Sequence, residues 1–216
     1  MLFGGGSVCT ASLYNQYTVA SAGHCFTELI PTYVVFEHTN MGLFMKNQIA
    51  IENYYVNDDF LRTHKQQAVT GLDFAVANMK ESAVEKGFDV TMASYMHHGR
   101  PHMGAEVIMI GYGKNTAIGL NGGSLHWGTG QVKKCITQRD AEPICVFPME
   151  EHSNQICEKG DSGGPLLYKQ DDKIKVVGFL SGSITEPTRE HYVVYSRSSY
   201  HFKFLQEKSK KEAGNF

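Results

Sequence analysis

The chain has 216 residues, 42% hydrophobic and 19% charged, enough apolar material for one large domain or two small packed halves and too much for a disordered chain. With 20 basic against 22 acidic residues, no charge excess advertises nucleic acid or an anionic membrane as a partner. No run of about 18 apolar residues is present to form a transmembrane helix.

From the N-terminus, "MLFGGGSVC" lacks the charged head and apolar core of a signal peptide. Two-residue periodicity then marks strands in "YTVAS", "TYVVFEH", "NQIAIENYYV", "AEVIMIGYG", "GPLLYKQ", "KIKVVGFLSG" and "HYVVYSR", punctuated by 22 glycines. The pattern is that of an all-β sandwich or barrel. Residues 78–104 are less patterned and are expected to connect two β halves. They carry His97, His98 and His102, a spacing that could ligate a metal; without a cysteine or acid at ligand spacing, these are read as an exposed connector and no metal is expected. Trp127 in "LHWGTGQV" is expected to pack near a turn. "SSYHFKFLQEKSKKE" places Tyr200, Phe204 and Leu205, then lysines, at helical spacing and predicts one C-terminal helix packed on the β body. Five cysteines (9, 25, 135, 145 and 157) form no C-x-x-C pair, which argues against structural zinc, and their odd number allows at most two internal bridges.

Three stretches carry chemistry. "TVASAGHCF" ends a strand in small residues and presents His24, which alone would pass for an incidental loop histidine. "TGLDFAVANM" puts Asp73 directly before an apolar strand, where a carboxylate drawn out of water needs donors, and a histidine N–H is one such donor. Taken singly, Asp73 is also consistent with a turn or cap acid; Asp58 and Asp59, in a polar turn, are weaker rivals. "CEKGDSGGPLLY" sets Ser162 among Gly160, Gly163 and Gly164. In such a turn the N–H groups of Gly160 and Ser162 can converge on a developing oxyanion, an effect of about 3 kcal/mol per donor. Asp161 then needs a cation or N–H donors to hold the turn. The glycine content is that of a phosphate loop, but no GK[ST] ending or helix follows, which excludes nucleotide binding.

In the order His, Asp, Ser, "TVASAGHC", "LDFAVA" and "GDSGGP" resemble the three signatures of the trypsin-like, chymotrypsin-fold serine peptidases. "CTASL" from Cys9, "GYG" at 111–113, "VVGFLSGS" and "HYVVYSRSSYHFKFLQ" resemble further parts of that family, so the likeness covers most of the chain. It implies a single peptidase domain over 1–216 made of two packed six-stranded Greek-key β-barrels and a C-terminal helix. The first barrel, 1–95, is expected to carry His24 and Asp73 and to be truncated at its N-terminus, unless Asp161 is satisfied another way; the second, 105–216, is expected to carry Ser162. The implied roles are His24 as general base then acid, Asp73 as its orienter, Ser162 as nucleophile, and Gly160 with Ser162 as the oxyanion hole. Ser181, Gly182 and Ser183 follow the family's substrate strand, with Lys159, Val193 and Ile156 (or Gln155) near the specificity pocket. None of these is the aspartate that selects Arg or Lys, and Val193 narrows the pocket, so small or medium apolar side chains are expected.

The resemblance also implies a Cys9–Cys25 bridge. Cys135 and Cys145 enclose a short loop suited to a second, while Cys157 either stays free or competes for Cys145. The family's inserted amino terminus, which pairs with the residue at Asp161, has no counterpart before Cys9. Protein or peptide substrates, protein inhibitors, a monomer, no cofactor and a secreted location follow from the likeness. Two alternatives stay open: a non-catalytic homologue acting as a binding module, and a viral-type polyprotein-processing protease.

Overall fold

The computed structural model describes residues 1–5, 7–28, 30–36, 47–63, 69–114, 124–135, 141–149, 157–185 and 191–210. Seven strands, β1 (Leu2–Gly4), β2 (Ser7–Cys9), β3 (Ser12–Asn15), β4 (Thr18–Ser21), β5 (Tyr33–Val35), β6 (Gln48–Val56) and β7 (Ala75–Met79), form a curled half-barrel sheet in the order β2-β1-β5-β6-β7-β4-β3. Six more, β8 (Glu106–Gly111), β9 (His126–Lys133), β10 (Ile144–Pro148), β11 (Pro165–Gln170), β12 (Lys173–Thr185) and β13 (His191–Arg197), close into a barrel in the order β10-β13-β12-β11-β8-β9. Neighbouring strands pair antiparallel throughout, and the whole is the chymotrypsin-like two-barrel arrangement expected from the sequence.

Alternation decides which side chains enter each body. In β9, His126, Gly128, Gly130 and Val132 face inward, and this register turns Trp127 outward. Trp127 is 54% exposed. β7 is buried at every residue. Ala75, Ala77 and Met79 face the first core, while Val76, with Phe74 just before the strand, joins Ala20, Tyr95, Val176, Phe179 and Leu205 in the seam between the two bodies. Burying one such large side chain contributes about 1.5–3 kcal/mol. That seam fixes the start of β7, which Asp73 precedes by two residues, against the second barrel.

Among the described residues, three helices accompany the strands: α1 (His24–Thr27), α2 (Asp58–Thr63) and α3 (Ser198–Lys208). The Asn57 side chain accepts the Phe60 N–H at 3.1 Å, so Asp58 and Asp59 fall in the first turn of a capped helix rather than in a loop. The C-terminal helix lies where the sequence predicts, but its buried face carries Ser198, His201 and Leu205. Tyr200 is exposed, and the ring stacked on Phe74 at 4.5 Å is that of His201.

Candidate active site

β4 ends in Ser21, followed by Ala22 and Gly23, and the chain turns into α1 with His24 as its first residue. Asp73 is wholly buried. Its Oδ1 accepts the His24 backbone N–H at 2.8 Å, and its Oδ2 accepts the His24 Nδ1–H at 2.7 Å and the Ser181 hydroxyl at 2.8 Å. An ionised carboxylate can only accept, so the ring proton is on Nδ1 and the basic nitrogen of the neutral ring is Nε2. Burial pushes the His24 imidazole down, but the charge and hydrogen bond of Asp73, with Glu28 adding, outweigh it and hold its pKa above the ordinary histidine value.

The backbone behind Asp73 is tied down as closely. Ser181 is the extra residue of a bulge, since Leu180 opposes Tyr195 and Gly182 opposes Val194. A bulge re-aims a side chain, and here it delivers the hydroxyl to Asp73. The same hydroxyl accepts the Thr70 N–H at 3.2 Å. Ser196 Oγ donates to the Asp73 carbonyl at 2.7 Å, and His201 Nε2 donates to the Gly71 carbonyl at 2.8 Å.

Ser162 stands between glycines whose backbone only glycine adopts cheaply: φ is +104° at Gly160 and +77° at Gly163. A Cβ at Gly163 would overlap the Ser21 hydroxyl and lie 2.8 Å from the Ala22 nitrogen. This close approach presses the serine turn onto the end of β4, just before His24. The Cys25 sulfur, bonded to Cys9 and so without a proton to give, lies 3.7 Å from the Ser162 carbonyl.

Thr10, which the sequence reading passed over, joins the two halves of the site. Its hydroxyl donates to the Gly160 carbonyl at 2.9 Å and accepts the Tyr112 N–H at 3.0 Å. The Thr10 N–H donates to the Ser162 carbonyl at 2.8 Å, and the Thr10 carbonyl accepts the Ser21 hydroxyl at 2.7 Å. Both carbonyls of the turn are therefore satisfied, whereas the N–H groups of Gly160 and Ser162 have no acceptor among the described residues. Asp161 is wholly buried beneath them. Its Oδ2 accepts the N–H groups of Cys157 and Glu158, each at 3.0 Å; its Oδ1 accepts that of Gly113 at 2.8 Å and lies 3.0 Å from His126 Nε2. His126 was also missed, although the alternation of "HWGTGQVK" that turns Trp127 outward places it inward.

The remaining expected residues divide. Lys159 is exposed, and Ser183 is exposed on β12 opposite Val193, which is fully buried with Val146, Leu180 and Tyr195 in the second barrel's core. Gly182 faces Val69: a Cβ there would sit 2.8 Å from a Val69 methyl. Ile156 and Gln155 lie outside the described residues. The bridges are Cys9–Cys25 and Cys135–Cys145, and Cys157 is free. Burial pushes the Cys157 thiol up to about 11, against a smaller opposite effect of Ser183, so it is no nucleophile at neutral pH. His97, His98 and His102 are exposed, with His97 stacked on Phe202 at 4.0 Å. Among the described residues the only grouping at ligand spacing is Cys9, His24 and Cys25, and the disulfide removes its sulfurs from metal binding.

The chain is 25% identical over 202 residues to a cercarial protease of Schistosoma mansoni, an alignment covering 87% of this chain and 75% of that protein. The trypsin family model matches residues 1–205. On a match of that extent, with the two-barrel fold and two disulfides beside it, the chain belongs to the trypsin family, a family of peptidases.

Proposed function

We propose that the protein is a secreted serine endopeptidase that cleaves peptide bonds through an acyl-enzyme on Ser162. The observation that carries this reading is the wholly buried Asp73 accepting both the backbone N–H and the Nδ1–H of His24, which orients the ring and reserves Nε2 for proton transfer. Ser162 Oγ attacks the carbonyl carbon of the scissile bond as its proton passes to His24 Nε2. The oxyanion takes hydrogen bonds from the Gly160 and Ser162 N–H groups, which have no acceptor among the described residues. Collapse expels the amine, which takes the proton back from His24. Water, deprotonated by the same nitrogen, then attacks the ester, releasing the acid and restoring the serine hydroxyl. Asp73 stays ionised throughout and stabilises the imidazolium.

The Ser181 hydroxyl is committed to Asp73, so an extended substrate meets the backbone of Ser181, Gly182 and Ser183. With Val193 narrowing the pocket, and Ile156 or Gln155 in place of an aspartate, it takes small or medium apolar side chains. The substrates are proteins or peptides, the enzyme acts as a monomer, and the two disulfides suit an oxidising compartment outside the cell.

A library of internally quenched peptides tests the reading. Cleavage within the peptide, after small apolar residues and abolished by Ser162→Ala, is the expected result. Strong selection for Arg or Lys would sink the specificity, and turnover that survives Ser162→Ala would sink the mechanism.

A further inference from the structure

His126 is buried at the start of β9, its side chain 7% exposed. Both of its ring nitrogens face oxygens: Nδ1 lies 3.1 Å from the Ser124 carbonyl, and Nε2 lies 3.0 Å from Asp161 Oδ1. The Ser124 oxygen is a carbonyl, and both Asp161 oxygens already act as acceptors of backbone N–H groups. A neutral imidazole carries one N–H and would turn the lone pair of its other nitrogen against an oxygen, so only the doubly protonated ring suits both contacts. The Nε2 contact is off the line of a good hydrogen bond, which makes it a charge contact first. Among the described residues no lysine or arginine pairs with Asp161, and its other partners are backbone N–H groups.

We propose that His126 is a fixed imidazolium whose charge holds Asp161, and through it the Gly160–Ser162 turn, so that loss of the His126 proton switches the reaction off at alkaline pH. The inference rests on the reading of that turn as the oxyanion hole. His126 touches no substrate and is a positioning residue. The coupling runs through few atoms: Asp161 directly precedes Ser162, and its Oδ2 gathers the N–H groups of Cys157 and Glu158, which begin the turn. The fit is close on the far side too, where a Cβ at Gly111 would overlap Asp161 Oδ1 and one at Gly113 would lie 2.7 Å from it. Without the cation, a buried carboxylate faces a lone pair, and the cheapest relief is movement of its own backbone.

The charged and titratable groups around the pair favour the cation. Asp161 raises the His126 pKa most, burial opposes it, and the Ser124 carbonyl and Glu158 add to the rise. Cys157 and Tyr195, which face Asp161, are kept protonated by burial and add no competing charge at neutral pH. β8 places Gly111 opposite His126 and so brings no titratable group. Because the folded pKa is above that of the unfolded chain, the pair stabilises the fold fully below the ordinary histidine midpoint, about 6.5, and the contribution disappears as pH rises through the folded value.

The test combines ring-nitrogen NMR of His126 with kcat–pH profiles of the wild type, His126→Gln and His126→Lys. The expected result is a His126 midpoint above about 6.5 that falls when Asp161 is changed to Asn, and a wild-type kcat that declines with the same midpoint. His126→Gln loses about 100-fold in kcat with little change in KM and no alkaline decline, while His126→Lys retains activity to higher pH than the wild type. A His126 midpoint at or below about 6.5 and indifferent to Asp161→Asn overturns the proposal. So does a His126→Gln profile that matches the wild type. A wild type that hydrolyses nothing at any pH overturns the peptidase reading instead, and the NMR midpoint still decides the state of His126.

Discussion

Asp73 and Asp161 are both wholly buried, and each has a histidine nitrogen within 3.0 Å, yet the two histidines differ in what their second nitrogen meets. His24 turns Nδ1 to its carboxylate, and among the described residues Nε2 has no partner; its side chain is 17% exposed. His126 turns both nitrogens to oxygens and is 7% exposed. A third histidine, His201, gives one N–H to the Gly71 carbonyl, and among the described residues its Nδ1 has no partner and no carboxylate contacts the ring; burial lowers its pKa to about 4. Residue type is the same in all three. On the proposed readings, the number and charge of the acceptors around the ring suit one to exchange a proton and one to stand as a cation, and leave the third a neutral structural ring.

The comparison breaks hardest at Asp73. Asp73→Asn is expected to lower kcat by about 10⁴-fold, because the amide can no longer fix the His24 tautomer. The acid limb of kcat/KM moves to lower pH in the same variant, since the rise in the His24 pKa depends on that carboxylate. Initial rates between pH 5 and 9 check both. Asp161→Asn acts on the turn rather than on the base, so a loss of about 10²–10³ in kcat is expected, with the acid limb unmoved. If Asp161→Asn shifted the acid limb as Asp73→Asn does, the division of labour would be wrong.

His201 predicts an effect on stability alone. Its folded pKa of about 4 is below the unfolded value of about 6.5, so the unfolded chain takes up a proton that the fold refuses. Stability therefore falls as pH drops from about 6.5 towards 4, by roughly 3 kcal/mol at the lower end. Urea titrations at pH 7 and pH 4.5 read this, and His201→Gln is expected to flatten the difference. The smallest expected change is at Thr10. Thr10→Val removes the hydroxyl shared by Gly160 and Tyr112 and takes from the buried Gly160 carbonyl its Thr10 donor, which is expected to lower kcat about tenfold at constant KM.

Much of the fold was legible because its strands alternate or are bounded by turn residues: "HYVVYSR" became β13 and "KIKVVGFLSG" most of β12. The short strands β1, β2 and β3 were not, since three or four residues give periodicity too little to act on. His24, Asp73 and Ser162 stood out through their motifs. Thr10 and His126 did not, for a physical reason: each acts through partners more than 30 residues away in sequence, and neither sits in a pattern that names its partner. The helix face was misjudged by one position because Tyr200 looks more apolar than His201, while stacking on Phe74 and the Gly71 carbonyl select the histidine.

The most direct test of the account is the covalent state of Ser162. Treatment with a fluorophosphonate, followed by intact mass and peptide mapping, is expected to give one adduct per chain, on Ser162, formed far more slowly in His24→Ala. A folded protein that takes no adduct, or takes it on another residue, would contradict the assignment of Ser162 as a nucleophile activated by His24.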